Sequence, residues 1–137
     1  MTTMTRLNNW PQLLATHLSA VQATPFEWAT HDCCTFAGDA VRAITGTDPM
    51  QDLRGTYTTA LQAARVLQAE GGLPAAVSKR LGFGKLPALA QRGDVVLFEM
   101  HGHGPALGIC TGPLFAAPGA LGMEFFSMEA AKTAWSV

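Results

Sequence analysis

The feature that most constrains the fold is a change in hydrophobic pattern near residue 92. Before it, apolar residues such as Phe36, Ala40 and Ile44 recur at the spacing of one helix face. After it, Asp94–Glu99 and Ala106–Thr111 are short β-branched, aromatic or aliphatic runs that follow glycine- or proline-containing turns. Helices first and strands later predict an α+β domain with an antiparallel meander, because a parallel sheet needs helices and strands that alternate.

Capping residues and turns set the expected element boundaries. Pro11 suits a first helical turn, Asp32 is a good N-cap, and Gly46 is a natural C-terminal stop. Helices are therefore expected over Leu7–Val21, Asp32–Gly46, Ala60–Glu70 and Pro74–Leu81. Strands are expected over 94–99, 106–111, 114–117 and 123–126, then one or two helical turns over 128–134 and a short strand at 135–137. The expected core is Leu14, Leu18, Phe36, Val41, Ile44, Leu61, Val66, Leu67, Val95, Leu97, Leu107, Ile109 and Phe115.

The charge balance bounds the possible partners. Charged residues make up 14% of the 137 residues, and the formal net charge is −1. No basic excess is present to neutralise a phosphate backbone, so no nucleic-acid partner is expected. So few charges indicate either an Ala-, Gly- and Thr-rich composition or a surface largely covered by partner proteins, because interface cores are depleted in Lys, Glu and Asp.

Other sequence features bear on compartment and cofactors. No run of 18 apolar residues is present, so no membrane span is expected. The first residues lead into a polar amphipathic segment instead of an apolar signal core, which predicts a protein made and used in a reducing cytoplasm, or one exported by a route other than a signal peptide. Three cysteines, two of them adjacent, do not indicate a disulfide framework. Gly82–Gly84 lacks the Lys and Ser or Thr that complete a phosphate loop, and no cofactor is expected.

The segment His31–Phe36 carries the clearest chemistry in the sequence. If Asp32 is an N-cap, Cys33 occupies the first helical position, where unpaired backbone N–H groups and the helix dipole favour an anion. Such a position lowers the pKa of a thiol and makes it a nucleophile. The alternative is that Cys33 and Cys34 are ordinary buried small residues, because free cysteine is among the most buried residue types.

Motifs in a fixed order surround this segment. Trp28 and His31–Phe36 are followed by a helix, by Arg92–Phe98 and by Ala106–Gly112. This order resembles the NlpC-type papain-like cell-wall peptidases, in which Asp-Cys opens the catalytic helix, Gly-Asp begins one strand and His-Val-Gly-Ile-x-x-Gly forms another. Over roughly residues 25–118 the resemblance implies a papain-like fold, with N-terminal helices packed on a small antiparallel sheet. The implied single domain, 1–137, divides into an N-terminal helix (1–24), a helical part with the Asp-Cys motif (25–82) and the sheet (92–137).

The chain is also similar, more closely, to a small family encoded in the tail modules of tailed phages. The shared motifs are Trp…Asp-Cys-Cys-x-Phe at 28–36, Ala-Leu-Gly-Ile at 106–109 and Ala-x-x-Ala-Trp-x-Val at 131–137. This similarity implies a virion protein of the tail tip or of tail assembly, made in the host cytoplasm. Its implied partners are other tail-tip and hub proteins.

The sequence departs from the peptidase pattern at the catalytic base. Cys33 matches the nucleophile, but Ala106 stands where the family has its general-base histidine, and residues 114–117 offer no third polar member. An alanine cannot take a proton, so the resemblance implies a degenerate site. His103, three residues before Ala106, either folds back toward Cys33 as a substitute base or belongs to a solvated hairpin. His31 either tunes the thiolate or packs.

The sequence is compatible with two other functions. One is an active cysteine peptidase or amidase that cleaves peptidoglycan, with Cys33 as nucleophile and His103 or a histidine of a neighbouring subunit as base. The other is a small metal-binding or redox module. Its candidate ligands for Zn²⁺ or an iron–sulfur cluster are His31, Cys33 or Cys34, His101, His103 and Cys110, although the chain has no Cys-x-x-Cys pair.

Overall fold

Helices precede strands in the computed structural model, which describes residues 4–137. Within these residues, four α-helices span Trp10–Ala20 (α1), Cys33–Thr45 (α2), Ala60–Ala69 (α3) and Leu73–Leu81 (α4). Five strands span Val95–Met100 (β1), Gly104–Cys110 (β2), Leu114–Gly119 (β3), Gly122–Ser127 (β4) and Ala131–Trp135 (β5). The α+β prediction is confirmed. The first three residues of the expected N-terminal part, 1–3, lie outside the described residues.

The sheet is antiparallel throughout and has the strand order β4-β3-β2-β1-β5. Helix α2 packs on β2 and β3, and α1 packs on α2. Alternate strand residues point toward α2, so Val95, Leu97, Leu107 and Ile109 join Phe36 in one buried core. The amphipathic stripe of α2 and the period-two pattern of the strands therefore meet at a single interface.

A second apolar cluster lies on the opposite face of the sheet. It contains Phe98, Ala106, Phe115 and Ala117, all buried. The ring of Phe115 lies over Gly108 of β2, where a Cβ atom would come within 2.7 Å of that ring. Because Gly108 has no side chain, Phe115 reaches across β2 to Phe98, with 4.8 Å between the ring centroids. The residues that β2 contributes to this face are therefore small.

Two sequence expectations fail in detail. The chain forms a 3-10 turn only over Met128–Ala130, and β5 begins at Ala131, because residues 131–135 pair with β1 along its free edge. Leu61, expected in the core, is 61% exposed. Helix α3 instead packs through Ala63, with Val66 and Leu67 partly buried beside the core. In a short peripheral helix, the spacing of apolar residues did not identify the face that packs.

Asp94 joins distant parts of the chain. Its side chain is 3% exposed and accepts hydrogen bonds through both oxygens. Oδ1 accepts from Arg6 (3.0 Å) and from the Val137 N–H (3.1 Å), while Oδ2 accepts from Lys85 Nζ and the Gln91 N–H, each at 2.8 Å. Asp94 thus fixes both ends of the described chain to the start of β1.

Candidate functional site: a thiol at the start of helix α2

Helix α2 begins with a complete capping box, and Cys33 is its first residue. Asp32 Oδ1 accepts a hydrogen bond from the Thr35 N–H at 3.0 Å, and Thr35 Oγ1 accepts one from the Asp32 N–H at 2.8 Å. Asp32 is the N-cap, as its position before the apolar stripe predicts. The capping box places the Cys33 thiol at the positive end of the helix dipole.

The second oxygen of Asp32 has two further donors. Oδ2 accepts from the Tyr57 hydroxyl at 2.8 Å and from the Ala29 N–H at 2.9 Å. Ala29 has a positive φ of 75°, which a side chain disfavours, and its bond to Asp32 helps to hold this turn. Trp28, 39% exposed, lies edge-on to Tyr57 with 6.4 Å between the ring centroids. An aromatic pair therefore covers the cap on one side.

Tyr57 is a site residue that the sequence analysis missed. It lies on an irregular loop 25 positions from Asp32, where no periodicity predicts its direction. Arg54 anchors this loop by donating from Nε to Asp48 (2.6 Å) and from Nη2 to Asp39 of α2 (2.7 Å). Burial, together with the nearby Cys34 and Asp32, raises the pKa of Tyr57, which keeps its hydroxyl protonated as a donor.

The two adjacent cysteines differ in their ionisation. A hydrogen bond from the Cys34 thiol lowers the pKa of Cys33, and the Leu107 N–H acts in the same direction, against the opposing effect of burial. That hydrogen bond and its own burial raise the pKa of Cys34 well above the ordinary thiol value. Cys33 is partly exposed, whereas Cys34 is buried. Cys33 is therefore the more acidic thiol of the pair, and the Cys34 thiol donates toward it.

Cys33 lies between the two apolar clusters and packs against both of them. The cluster on the second face of the sheet includes Ala106 of β2 and Ala117 of β3. Ala106 directly precedes Leu107, whose N–H stabilises the Cys33 thiolate. The resemblance described above expects an imidazole at residue 106 and a polar group on β3. Both of these side chains are methyl groups.

The two histidines that the sequence offers as partners for Cys33 differ in burial, and neither hydrogen-bonds the thiol among residues 4–137. His31 is buried, with its ring edge-on to Phe36, and no protein group hydrogen-bonds its Nε2. His103 is exposed in the β1–β2 turn, where its N–H donates to the Met100 carbonyl at 2.8 Å. Among residues 4–137, no hydrogen bond joins either imidazole to Cys33, and no three His, Cys, Asp or Glu side chains converge as a metal site requires.

The fold and site define an α+β domain with a capped helix-terminal thiol on an antiparallel sheet. The chain belongs to the family described as a domain of unknown function (DUF6950), whose model matches residues 5–137. No curated protein matches the chain. None of the helices in residues 4–137 has the length and apolar character needed to cross a membrane.

Proposed function

We propose that this chain is a degenerate papain-like domain of the NlpC type that serves in the tail tip, or in tail assembly, of a phage. In this proposal the protein is made in the host cytoplasm and carried in the virion tail. The order of motifs supports the NlpC relationship, as does a cysteine at the N-terminus of a helix that packs on an antiparallel sheet. The observation that carries the degenerate assignment is the alanine at residue 106, which belongs to an apolar cluster against which Cys33 packs.

The chemistry of cysteine peptidases explains why an alanine at residue 106 argues against catalysis. The imidazole must lie within about 3 Å of the sulfur, both to form the thiolate pair and to protonate the leaving amine. Ala106 lies inside β2, paired with Phe98 of β1, so the backbone around it is fixed by the sheet. No other residue of β2 is a histidine. The site therefore keeps a thiol of lowered pKa but lacks a proton carrier on the strand that would supply one.

Exposed apolar side chains support a role in assembly. Phe83, Leu86 and Leu89 are 98%, 70% and 62% exposed on the segment between α4 and β1. Leu121, in the turn between β3 and β4, is 96% exposed. Large apolar groups in contact with water mark protein-binding surfaces when they cluster. Tail-tip and hub proteins are the partners that this proposal names for them.

An active cell-wall cysteine peptidase or amidase is the second candidate. The lowered pKa of Cys33 favours it, because only the thiolate attacks a carbonyl carbon. In such a reaction, a base takes the thiol proton, the sulfur adds to a peptide or amide carbonyl of peptidoglycan, and the protonated base gives its proton to the leaving amine. Water then hydrolyses the thioester to a carboxylic acid and the free thiol. That base would have to be His103 after a rearrangement of its turn, or a histidine from another subunit.

One genetic experiment separates the two candidates. The gene is deleted from a phage or prophage that carries it, and the deletion is complemented with the wild type, with Cys33→Ala, or with an empty vector. The assembly proposal expects particles without complete tails after deletion and full rescue by both proteins. Normal tails after deletion would refute it. Rescue of tails by Cys33→Ala without rescue of infection, at equal protein levels, would favour the hydrolase.

A further inference from the structure

Most of the large exposed apolar side chains in residues 4–137 lie beside the two edge strands of the sheet, β4 and β5. One surface, called here the β4 edge, belongs to the β3–β4 hairpin and carries the exposed side chains of Leu114, Leu121 and Phe125. The other, called the 83–89 edge, belongs to the segment that contacts β5 and carries those of Phe83, Leu86 and Leu89. Exposed apolar groups that cluster in this way mark binding surfaces.

The fold holds both edges in place. The Lys85 N–H donates to the Ala134 carbonyl at 2.7 Å, and the Ala134 N–H donates to the Lys85 carbonyl at 3.0 Å. A Cβ atom at Gly84 would lie 2.6 Å from Thr133 Cγ2, so the 83–89 edge packs directly on β5. On the other side, six residue pairs join β3 to β4. Surfaces that are already ordered lose little conformational entropy when they bind.

The outer side of β4 also presents backbone groups. The Met123 N–H is directed away from β3 and donates to the Gln22 carbonyl at 2.9 Å. Outward backbone groups recur at every second residue of an antiparallel strand, so those of Phe125 and Ser127 also point outward. Within the described residues, no strand pairs with this side of β4. An open strand edge is a template for pairing with another chain.

Charges of opposite sign accompany the two edges. Residues 71–93, which include the 83–89 edge, contain four Lys or Arg and no Asp or Glu. Residues 94–131, which include β1 to β4, contain four Asp or Glu and no Lys or Arg. Glu124 on β4 and Lys132 on β5 are both exposed. Glu129, in the turn that precedes β5, offsets part of this contrast.

We propose that this chain binds a second copy of itself head to tail, with the β4 edge of one copy on the 83–89 edge of the other. Apolar groups then meet apolar groups, and the acidic side of one copy meets the basic side of its neighbour. Contact between two like edges would instead bring like charges together, which disfavours it. The formal net charge of −1 leaves little overall repulsion between copies. Because the two surfaces differ, the contact is heterologous, and each copy offers one site of each kind.

Sedimentation velocity of the whole chain tests this contact. The average sedimentation coefficient should rise as the concentration is raised from the low micromolar to the submillimolar range, and the association should weaken at high salt because charges contribute to it. Phe83→Ser and Leu121→Ser each remove an almost fully exposed side chain from one edge, so neither should disturb folding. Each should weaken the association about tenfold or more. Leu61→Gln, exposed on α3 and outside both edges, is the matched control and should leave it unchanged.

A mixing experiment distinguishes unlike from like edges. An equimolar mixture of Phe83→Ser and Leu121→Ser should associate more strongly than either variant alone, because the intact β4 edge of the first meets the intact 83–89 edge of the second. A mixture that associates no better than its components overturns the proposal, as does one variant that associates as well as the parent chain. A parent chain that stays monomeric, or an association that salt does not weaken, overturns it too. The contact does not depend on the proposed tail function, which the gene deletion tests separately.

Discussion

Removal of the Asp32 side chain should destabilise the whole domain, because one carboxylate satisfies donors from three segments. In Asp32→Ala, the Thr35 N–H loses its cap, which costs about 1 kcal/mol. The buried Tyr57 hydroxyl loses its acceptor, at a cost of about 1–3 kcal/mol. The Ala29 N–H is only partly buried, so water replaces much of that bond. Together these losses predict about 3 kcal/mol of destabilisation, a large part of the total stability of a small domain.

Urea unfolding followed by circular dichroism at pH 7.5 measures this change directly. Tyr57→Phe provides a graded comparison, because it removes one donor and leaves the cap intact, and we expect it to cost about 1–2 kcal/mol. Asp52→Ala is the matched aspartate control. The side chain of Asp52 is 66% exposed and pairs with Arg80, and its loss should cost less than about 1 kcal/mol.

The loss of stability should be largest for Asp32→Ala, intermediate for Tyr57→Phe and smallest for Asp52→Ala. If Asp32→Ala unfolds at the same urea concentration as Asp52→Ala, the carboxylate does not hold the cap and the Tyr57 loop together. If Tyr57→Phe equals Asp32→Ala, the cap contributes nothing and the hydroxyl contact accounts for the whole effect. Either result would refute the description of the start of α2 given above.

Three further predictions test other parts of the structure. When the rate of iodoacetamide alkylation is measured from pH 5 to pH 9, the rate at Cys33 should have its midpoint below the ordinary thiol pKa, while Cys34 stays protected. A midpoint near 8.5 would contradict the lowered pKa of Cys33. Asp94→Ala should lose about 2–3 kcal/mol in urea unfolding, since four donors lose their acceptor, two of them on the partly buried Arg6 and Lys85; no measurable loss would be incompatible with its four bonds. Leu61→Ala should lower the free energy of unfolding by less than about 0.5 kcal/mol and Ile44→Ala by about 2–5 kcal/mol. Equal losses would show that Leu61 is buried in the core.

Local rules account for most of the fold. The cap residue Asp32 and the stop residue Gly46 fix α2 because their chemistry acts within one turn, and Gly46 adopts the left-handed conformation that such a stop requires. The start of β5 depends on pairing with β1, which lies more than 30 residues away and has no local signal. Leu61 shows the same limit, because its helix alone does not specify which side the rest of the chain covers.

The sequence predicts some residues of the candidate site and not others. Cys33 and Asp32 are recognisable because capping chemistry depends on adjacent residues. The positions of Tyr57 and of the Leu107 N–H arise from contacts between segments that only the folded chain brings together. No composition, spacing or motif in the sequence indicates that Tyr57 meets Asp32.

The Asp-Cys pair has a structural reason to exist whether or not the thiol reacts. Asp32 satisfies the first turn of α2, the Ala29 turn and the Tyr57 loop, and this requirement places whichever residue follows it at the positive end of the helix. A lowered pKa at Cys33 follows from that position and from its neighbours, so it is weak evidence for catalysis. A proton carrier on β2 would have no comparable structural reason. Under the proposed NlpC relationship, the side chain at residue 106 is therefore the more informative of the two positions, and as alanine it counts against hydrolysis.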